Sequence, residues 1–252
     1  MSSENGSLCA THPERAATGV CERCGVFGCG ECLTLLGELR LCAACRAREA
    51  VGLPSLAGRA RLAMPFVWAT AGLGLVVSLL SFGVPAEGSE DPGAVPQVVA
   101  LGCSGILYLG VFITGVVLFC RWFHLLVRHA KAGGAPLDTT PAAAVGSFFI
   151  PFVNLVRPYA IAKQISTTST AASAVGQWQA LWIGANIVTN VGARLEGKTG
   201  SSAGELIGLF GSLLFLGAAW ACQRVVAELT KTTELTPESS GPSASAPAPS
   251  VP

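Results

Sequence analysis

The sequence predicts a mainly α, polytopic membrane helical bundle preceded by a small cysteine-rich domain. Three observations carry that expectation. Hydrophobic residues make up 51% of the 252 and charged residues only 12%, about half the charged share of a soluble domain. The apolar residues come in long blocks rather than spread evenly. Seven of the ten cysteines lie between Cys9 and Cys45, ahead of the first block. The net charge of +1 provides no global field for nucleic acid, so no nucleic-acid partner is expected.

The chain opens on a polar stretch, Met1 to Thr18, with no basic run leading into an apolar core. That is not the pattern of a secretory leader, so the head is expected to be cytosolic. It holds four pairs of metal-ligating residues: Cys9/His12, Cys21/Cys24, Cys29/Cys32 and Cys42/Cys45. Two residues separate the members of each pair, so one tight turn presents two ligands to one ion. Zinc takes four N or S ligands, and eight ligands make two closed sites. A closed site is structural, since a catalytic zinc keeps a position for water. Two zinc ions are therefore expected. Disulfides would leave an odd cysteine and require an oxidising compartment. A thioredoxin-like pair needs a βαβ unit too large for this head. No His follows Cys24 or Cys45, against haem attachment, and the close cysteine run of ferredoxins is absent, against an iron–sulfur cluster. Gly25 and Gly30 each follow a ligand, where a left-handed or tight turn is expected. Apolar positions are few, so metal must contribute on the order of 10 kcal/mol per site to folding.

Spacing alone admits sequential or crossed pairing of the four ligand pairs. The stretch from Cys9 to Arg48 resembles a B-box-type zinc finger. The resemblance implies a cross-brace in which Cys9, His12, Cys29 and Cys32 hold one ion and Cys21, Cys24, Cys42 and Cys45 the other. It also implies a role in protein contacts. The Cys-x-His centre of RING ubiquitin ligases is not matched, so ligase activity is not implied.

The head is expected over residues 1–48 and a basic neck over 49–61, where Arg59 and Arg61 follow Arg46 and Arg48. The membrane domain follows over 62–230, then a Pro/Ser/Ala-rich disordered tail over 231–252. Four apolar runs, Leu62–Val84, Val98–Val127, Ala174–Ala193 and Leu206–Cys222, are candidate spans, since crossing the hydrocarbon takes about 20 helical residues. No period-two alternation suggests a barrel. A fifth stretch, Pro141–Val156, is short and interrupted by Pro151 and Asn154. Charge bias favours four spans with this stretch re-entrant or interfacial. The neck and the loop with Arg121, Arg128 and Lys131 then lie inside; the loop Pro85–Gln97, with Glu87, Glu90 and Asp91 and no basic residue, lies outside. Both termini would be cytoplasmic, in the inner membrane. The competing arrangement is five full spans.

Pro151 and Pro158 bracket Asn154 and Arg157, and proline removes backbone donors. Either the segment kinks at the interface with Arg157 reaching the headgroups, or it is a broken helix lining a polar cavity. Asn186 and Asn190, one turn apart on one face, read as helix–helix contacts or as partners of Asn154 and Arg157 in a polar membrane site. Trp178 and Trp182, flanked by Gln177 and Gln179, read as an interfacial belt. Gly204 and Gly208 form a Gly-x-x-x-Gly suited to close helix contact. His124 and His129, among Arg121, Arg128 and Lys131, read as a topology signal facing anionic lipid. Cys103, Cys120 and Cys222 read as small helix residues.

Ser147–Ile165, together with QWQALWIGANIVTNVGARL, looks like the membrane family called domain of unknown function 4328, over roughly residues 60 to 230. Phe148, Phe149, Pro151, Asn154, Leu155, Pro158 and Tyr159 carry the likeness; the first aromatic is Phe where Trp is expected. No activity is implied by that family. The catalytic inventory is also empty: no Ser/His pair or carboxylate pair in a span, no phosphate-binding loop, no dinucleotide fingerprint. The expectation is a non-enzyme. It would be a membrane-anchored adaptor binding an unidentified cytoplasmic protein, with its own copies as a second candidate partner; the alternative is a small channel or transporter with a zinc head.

Overall fold

The computed structural model describes residues 7–36, 39–81, 94–166, 168–199 and 202–233. The acidic loop around Glu87 to Asp91 and nearly all of the Pro/Ser/Ala-rich tail lie outside them.

The head is built from short pieces. Strands β1 (Gly19–Val20) and β2 (Phe27–Gly28) pair antiparallel, and so do β3 (Leu33–Leu36) and β4 (Leu39–Cys42). Its apolar core is a cluster of Cys21, Leu41 and Cys45 with Leu33 and Cys42 against it, too small to hold a fold by burial alone. Helix α1 (Ala43–Val51) follows β4 directly.

Six further helices follow among the described residues: α2 (Leu56–Ser81), α3 (Ala94–Ala132), α4 (Pro141–Gly146), α5 (Val153–Ile165), α6 (Ser169–Thr199) and α7 (Ser202–Thr233). The first apolar helix therefore starts six residues before Leu62, inside the expected neck. Ser55 starts it, its Oγ accepting from the Gly58 amide at 3.2 Å.

Helices α2, α3 and α7 are each long and apolar enough to cross a membrane. Helix α6, with 31 residues, is long enough at 1.5 Å per residue. Its apolar run is diluted by Gln177, Gln179, Asn186, Asn190 and Arg194, so the fourth expected span does not meet the same measure. The Pro141–Val156 stretch is not one helix. Thr140 caps α4, a 3₁₀ turn covers Ser147–Phe149, and the chain then breaks at Phe152, whose φ is 65°. Pro151 sits in this break. Pro158 does not break anything: it is buried within the 13-residue α5.

The long helices form a row, with α6 beside α7, α7 beside α2 and α2 beside α3. Trp68 Nε1 donates to Gln223 Oε1 at 2.6 Å, and Ser78 and Ser212 share a hydroxyl bond at 2.6 Å, which tie α2 to α7. The well-packed core occupies one end of the row. It gathers Leu56, Trp122, Phe123, Leu126, Val127, Ile161, Ala171, Val175, Val226 and Leu229. There Trp122 Nε1 donates to Thr230 Oγ1 at 3.2 Å. Helices α4 and α5 close this end. Phe148 packs edge-on against Phe119 and Phe123.

Candidate metal centre

Each ligand pair sits on a local turn. After Cys21, the Gly25 amide donates to the Cys21 carbonyl at 2.8 Å and Gly25 adopts φ 76°, the left-handed conformation expected of it. Gly30 does not share it. Its φ is not positive and the space its Cβ would occupy is open to 4.0 Å, so Cys29/Cys32 closes without a left-handed residue. Backbone bonds then bring distant turns together: the Ala10 amide donates to the Phe27 carbonyl at 3.0 Å, beside the first and third ligand pairs, and the Glu22 amide to the Arg40 carbonyl at 3.0 Å, beside the second and fourth.

The pairing is crossed. Cys9, His12, Cys29 and Cys32 offer ligand atoms all within 4.8 Å of one another, and Cys21, Cys24, Cys42 and Cys45 do the same. Both groups can hold a metal ion. His12 Nδ1 lies 3.9, 3.5 and 3.2 Å from the sulfurs of Cys9, Cys29 and Cys32. The sulfurs of Cys9 and Cys32 are 3.7 Å apart, as are those of Cys24 and Cys42. A tetrahedral ion with bonds of about 2.3 Å to sulfur and about 2.0 Å to nitrogen has S–S edges of roughly 3.8 Å and S–N edges of roughly 3.5 Å. The donor sets fit one ion each, with no room between the sulfurs for a multi-atom cluster. All ten cysteines are free thiols.

The thiols are not equivalent. For Cys21, burial pushes the pKa up, but the amides of Cys42, Cys24 and Arg23 outweigh it and bring it to about 6; the Cys42 amide is 3.3 Å away. The amides of Cys32 and Glu31 lower Cys29 to about 7. Burial raises Cys32 to about 11 and Cys45 to about 12, helped by hydrogen bonds from neighbouring thiols. Each centre thus pairs a thiolate-prone cysteine with one that keeps its proton until an ion displaces it.

The head is docked on the bundle. Arg46, next to the ligand Cys45, lays its guanidinium over the backbone of Gly134, at the end of α3, where φ is 95°. The last carbonyls of α3 carry the negative end of its dipole.

The expected polar membrane site is dispersed. Asn186 and Asn190 donate to the carbonyls of Trp182 and Asn186 in their own helix, at 2.7 and 2.8 Å. Among the described residues no hydrogen bond joins them to Asn154. Arg157 lines a separate hollow with Asp138 and Gln164. Instead it is Gln179 that reaches α5, donating to the Leu155 carbonyl. Trp178 is partly buried and packs on Phe119 against the core.

His129 is corrected too. It is 4% exposed and its Nε2 donates to the Pro54 carbonyl at 3.1 Å, and Lys131 Nζ donates to the Thr139 carbonyl at 2.8 Å. Both face protein rather than lipid. Gly204 and Gly208 do meet a helix closely, and the partner is Gly192. A Cβ there would stand 2.6 Å from the Gly208 nitrogen and 2.9 Å from the Gly204 carbonyl oxygen. Gly211 likewise meets Thr189. Neither Gly192 nor Gly211 stood out in the sequence, because the need for glycine comes from a helix not adjacent in its own register.

A helical membrane protein with a docked head of two four-ligand clusters is the class that this architecture defines. The chain belongs to the family described as domain of unknown function (DUF4328), which matches residues 95–231. The match begins at α3, later than the position near residue 60 expected from the sequence, and leaves α2 and the head outside it. No curated protein and no solved structure matches the chain.

Proposed function

We propose that this chain is a membrane-anchored adaptor whose zinc-stabilised, B-box-like head binds a cytoplasmic protein. The observation that carries the reading is the head's surface. Around two closed clusters, Phe27, Leu35 and Leu39 are 45%, 57% and 51% exposed. A domain with so few apolar residues to spare for its own core leaves these outside, which favours a surface for protein contact. Zinc is the ion proposed, since mixed Cys/His donors in closed tetrahedra suit it. No catalytic group is invoked.

Four spans with both termini cytoplasmic in the inner membrane are part of the proposal. Helix α6 runs antiparallel along α7 with Gly192 against Gly204 and Gly208 at one end and Gln177 against Arg224, 3.2 Å, at the other. A helix alongside a span for its whole length supports its being a span as well. The core end carries Arg59, Arg121, Arg128, Arg157 and Arg224, which favours the cytoplasmic side. Helices α4 and α5 then form an interfacial cap. A reporter fused after Ser173 should be active only on the inner face; outer-face activity sinks this topology.

The adaptor reading is tested on the full chain in cells, with a photo-crosslinking amino acid at position 27 or 35. A soluble protein adduct of one mass, lost on metal chelation, is expected. Adducts to lipid alone, together with solute flux in proteoliposomes, would replace it by the channel or transporter reading.

A further inference from the structure

A groove runs along α3 where the apolar part of that helix gives way to its basic end. Its volume of about 860 Å³ lies in the range of about 300–1,000 Å³ typical of ligand sites. The walls are α3, the first turn of α2, and α4 with the turn after it. One half is lined by Phe112, Ile113, Val116, Val117 and Phe149; the other by Arg59, Arg121, His124 and Arg128.

Two features make this more than a basic rim. The cations come from two elements, Arg59 from α2 and Arg121 and Arg128 from α3, and converge on one cavity. No Asp or Glu lines it. Among the described residues, none of the three guanidiniums makes an ion pair or a hydrogen bond. Three unpaired guanidiniums facing one space repel one another, and an anion with several oxygens removes that repulsion and supplies bidentate acceptors.

The order of the lining along α3 limits the anion. Ile113, Val117, Cys120, His124 and Arg128 recur at helical spacing on one face. At 1.5 Å per residue the apolar stretch from Phe112 to Cys120 is about 12 Å and the basic stretch from Arg121 to Arg128 about 10 Å. An occupant must therefore be anionic at one end and apolar for more than a nanometre beyond it. A free phosphate leaves the apolar half uncovered. A second copy of this chain would have to bring acidic groups to a basic end, and its own corresponding end is equally basic.

We infer that the groove binds one anionic phospholipid, its phosphate held by Arg59, Arg121 and Arg128 and an acyl chain laid along Phe112, Val116 and Phe149. The first turn of α2 and the basic end of α3 are then joined through one lipid headgroup, with the turn after α4 resting on its acyl chain.

The test uses the full chain in nanodiscs or detergent, read by native mass spectrometry and thermal unfolding. The probes are phosphatidylglycerol, phosphatidylcholine and inorganic phosphate. One phosphatidylglycerol should be retained per chain in preference to phosphatidylcholine. Arg121→Gln or Arg128→Gln should weaken retention about tenfold, as expected for loss of one charge-assisted contact. Arg194→Gln, exposed and outside the groove, should leave it unchanged. Cys120→Trp, which fills the groove, should abolish retention without loss of the head's metal. Equal retention of both lipids, equal weakening by Arg194→Gln, full protection by inorganic phosphate alone, or a lipid-free dimer with the groove covered would each overturn the proposal.

Discussion

At the scale of single residues, the two glycines after ligands separate cleanly. Gly25 is left-handed and Gly30 is not. Gly25→Ala should cost about 1 kcal/mol in head stability, through conformation alone because its Cβ would meet nothing within 4 Å. Gly30→Ala should be near neutral. Chelator-titration midpoints of the two variants compare them directly. The thiols make a second prediction. At pH 7.5 Cys32 and Cys45, at about 11 and about 12, still carry protons, and a metal must displace them. Below pH 7 Cys29 and then Cys21, at about 7 and about 6, take up protons as well. Metal affinity should therefore fall as pH falls, and more steeply below about pH 7. Calorimetry in buffers of differing ionisation enthalpy should show heats that scale with the buffer, with more protons released below that point. The eight ligands themselves were legible because pairing at two-residue spacing is a local signal. Which turn faces which was not, because backbone bonds between turns 17 or 18 residues apart, Ala10 to Phe27 and Glu22 to Arg40, decide it; only the family likeness pointed to the crossed arrangement.

At the scale of elements, the α6–α7 contact depends on the absence of side chains. Gly192→Leu places atoms in the backbone of Gly208, which cannot give way, and should cost about 1–3 kcal/mol by overpacking. Gly184→Ala, with open space around it, serves as the matched control. Unfolding in detergent should separate the two. Phe152 offers the opposite case, since a non-glycine residue at φ 65° is strained. Phe152→Gly should relieve about 1 kcal/mol, raising the unfolding midpoint. The break at Pro151 was legible from proline chemistry, and so were the three helices that are apolar along their length. The accommodation of Pro158 inside α5 was not, because helix continuity there is set by burial against the core rather than by the residue. His129 reads in sequence as one more member of a basic cluster. Only the approach of the Pro54 carbonyl, 75 positions away, makes it an interior side chain.

At the scale of the whole molecule, the head and the bundle meet through α1. Arg46 is adjacent to a ligand, its Nε and Nη1 are buried, and its guanidinium rests on Gly134. Stripping the metal should therefore loosen more than the head. Hydrogen exchange in residues 129–137 should quicken on chelation, while exchange in α6 and α7 beyond Gly192 should not change. Nothing in the residue pattern marks this docking, since Arg46 is indistinguishable from the other arginines between the head and the first apolar helix. The division of the chain into a cysteine-rich head and apolar helices was plain from composition, because each class of residue is concentrated in its own stretch.

The core's position at one end has a mechanical consequence. Helix α3 has 39 residues, about 58 Å of helix against a hydrocarbon thickness of about 30 Å. Its tightly packed third, from Trp122 onward, is long enough to stand clear of the acyl chains, while the rest is largely uncovered by protein, with only 6% of its most apolar window buried. In the proposed topology the stiff part of the molecule thus stands outside the slab and the compliant part within it. Thinning or stretching of the bilayer should be taken up by tilt of the far ends of α2 and α3, with the packed end and the metal head held in register with one another.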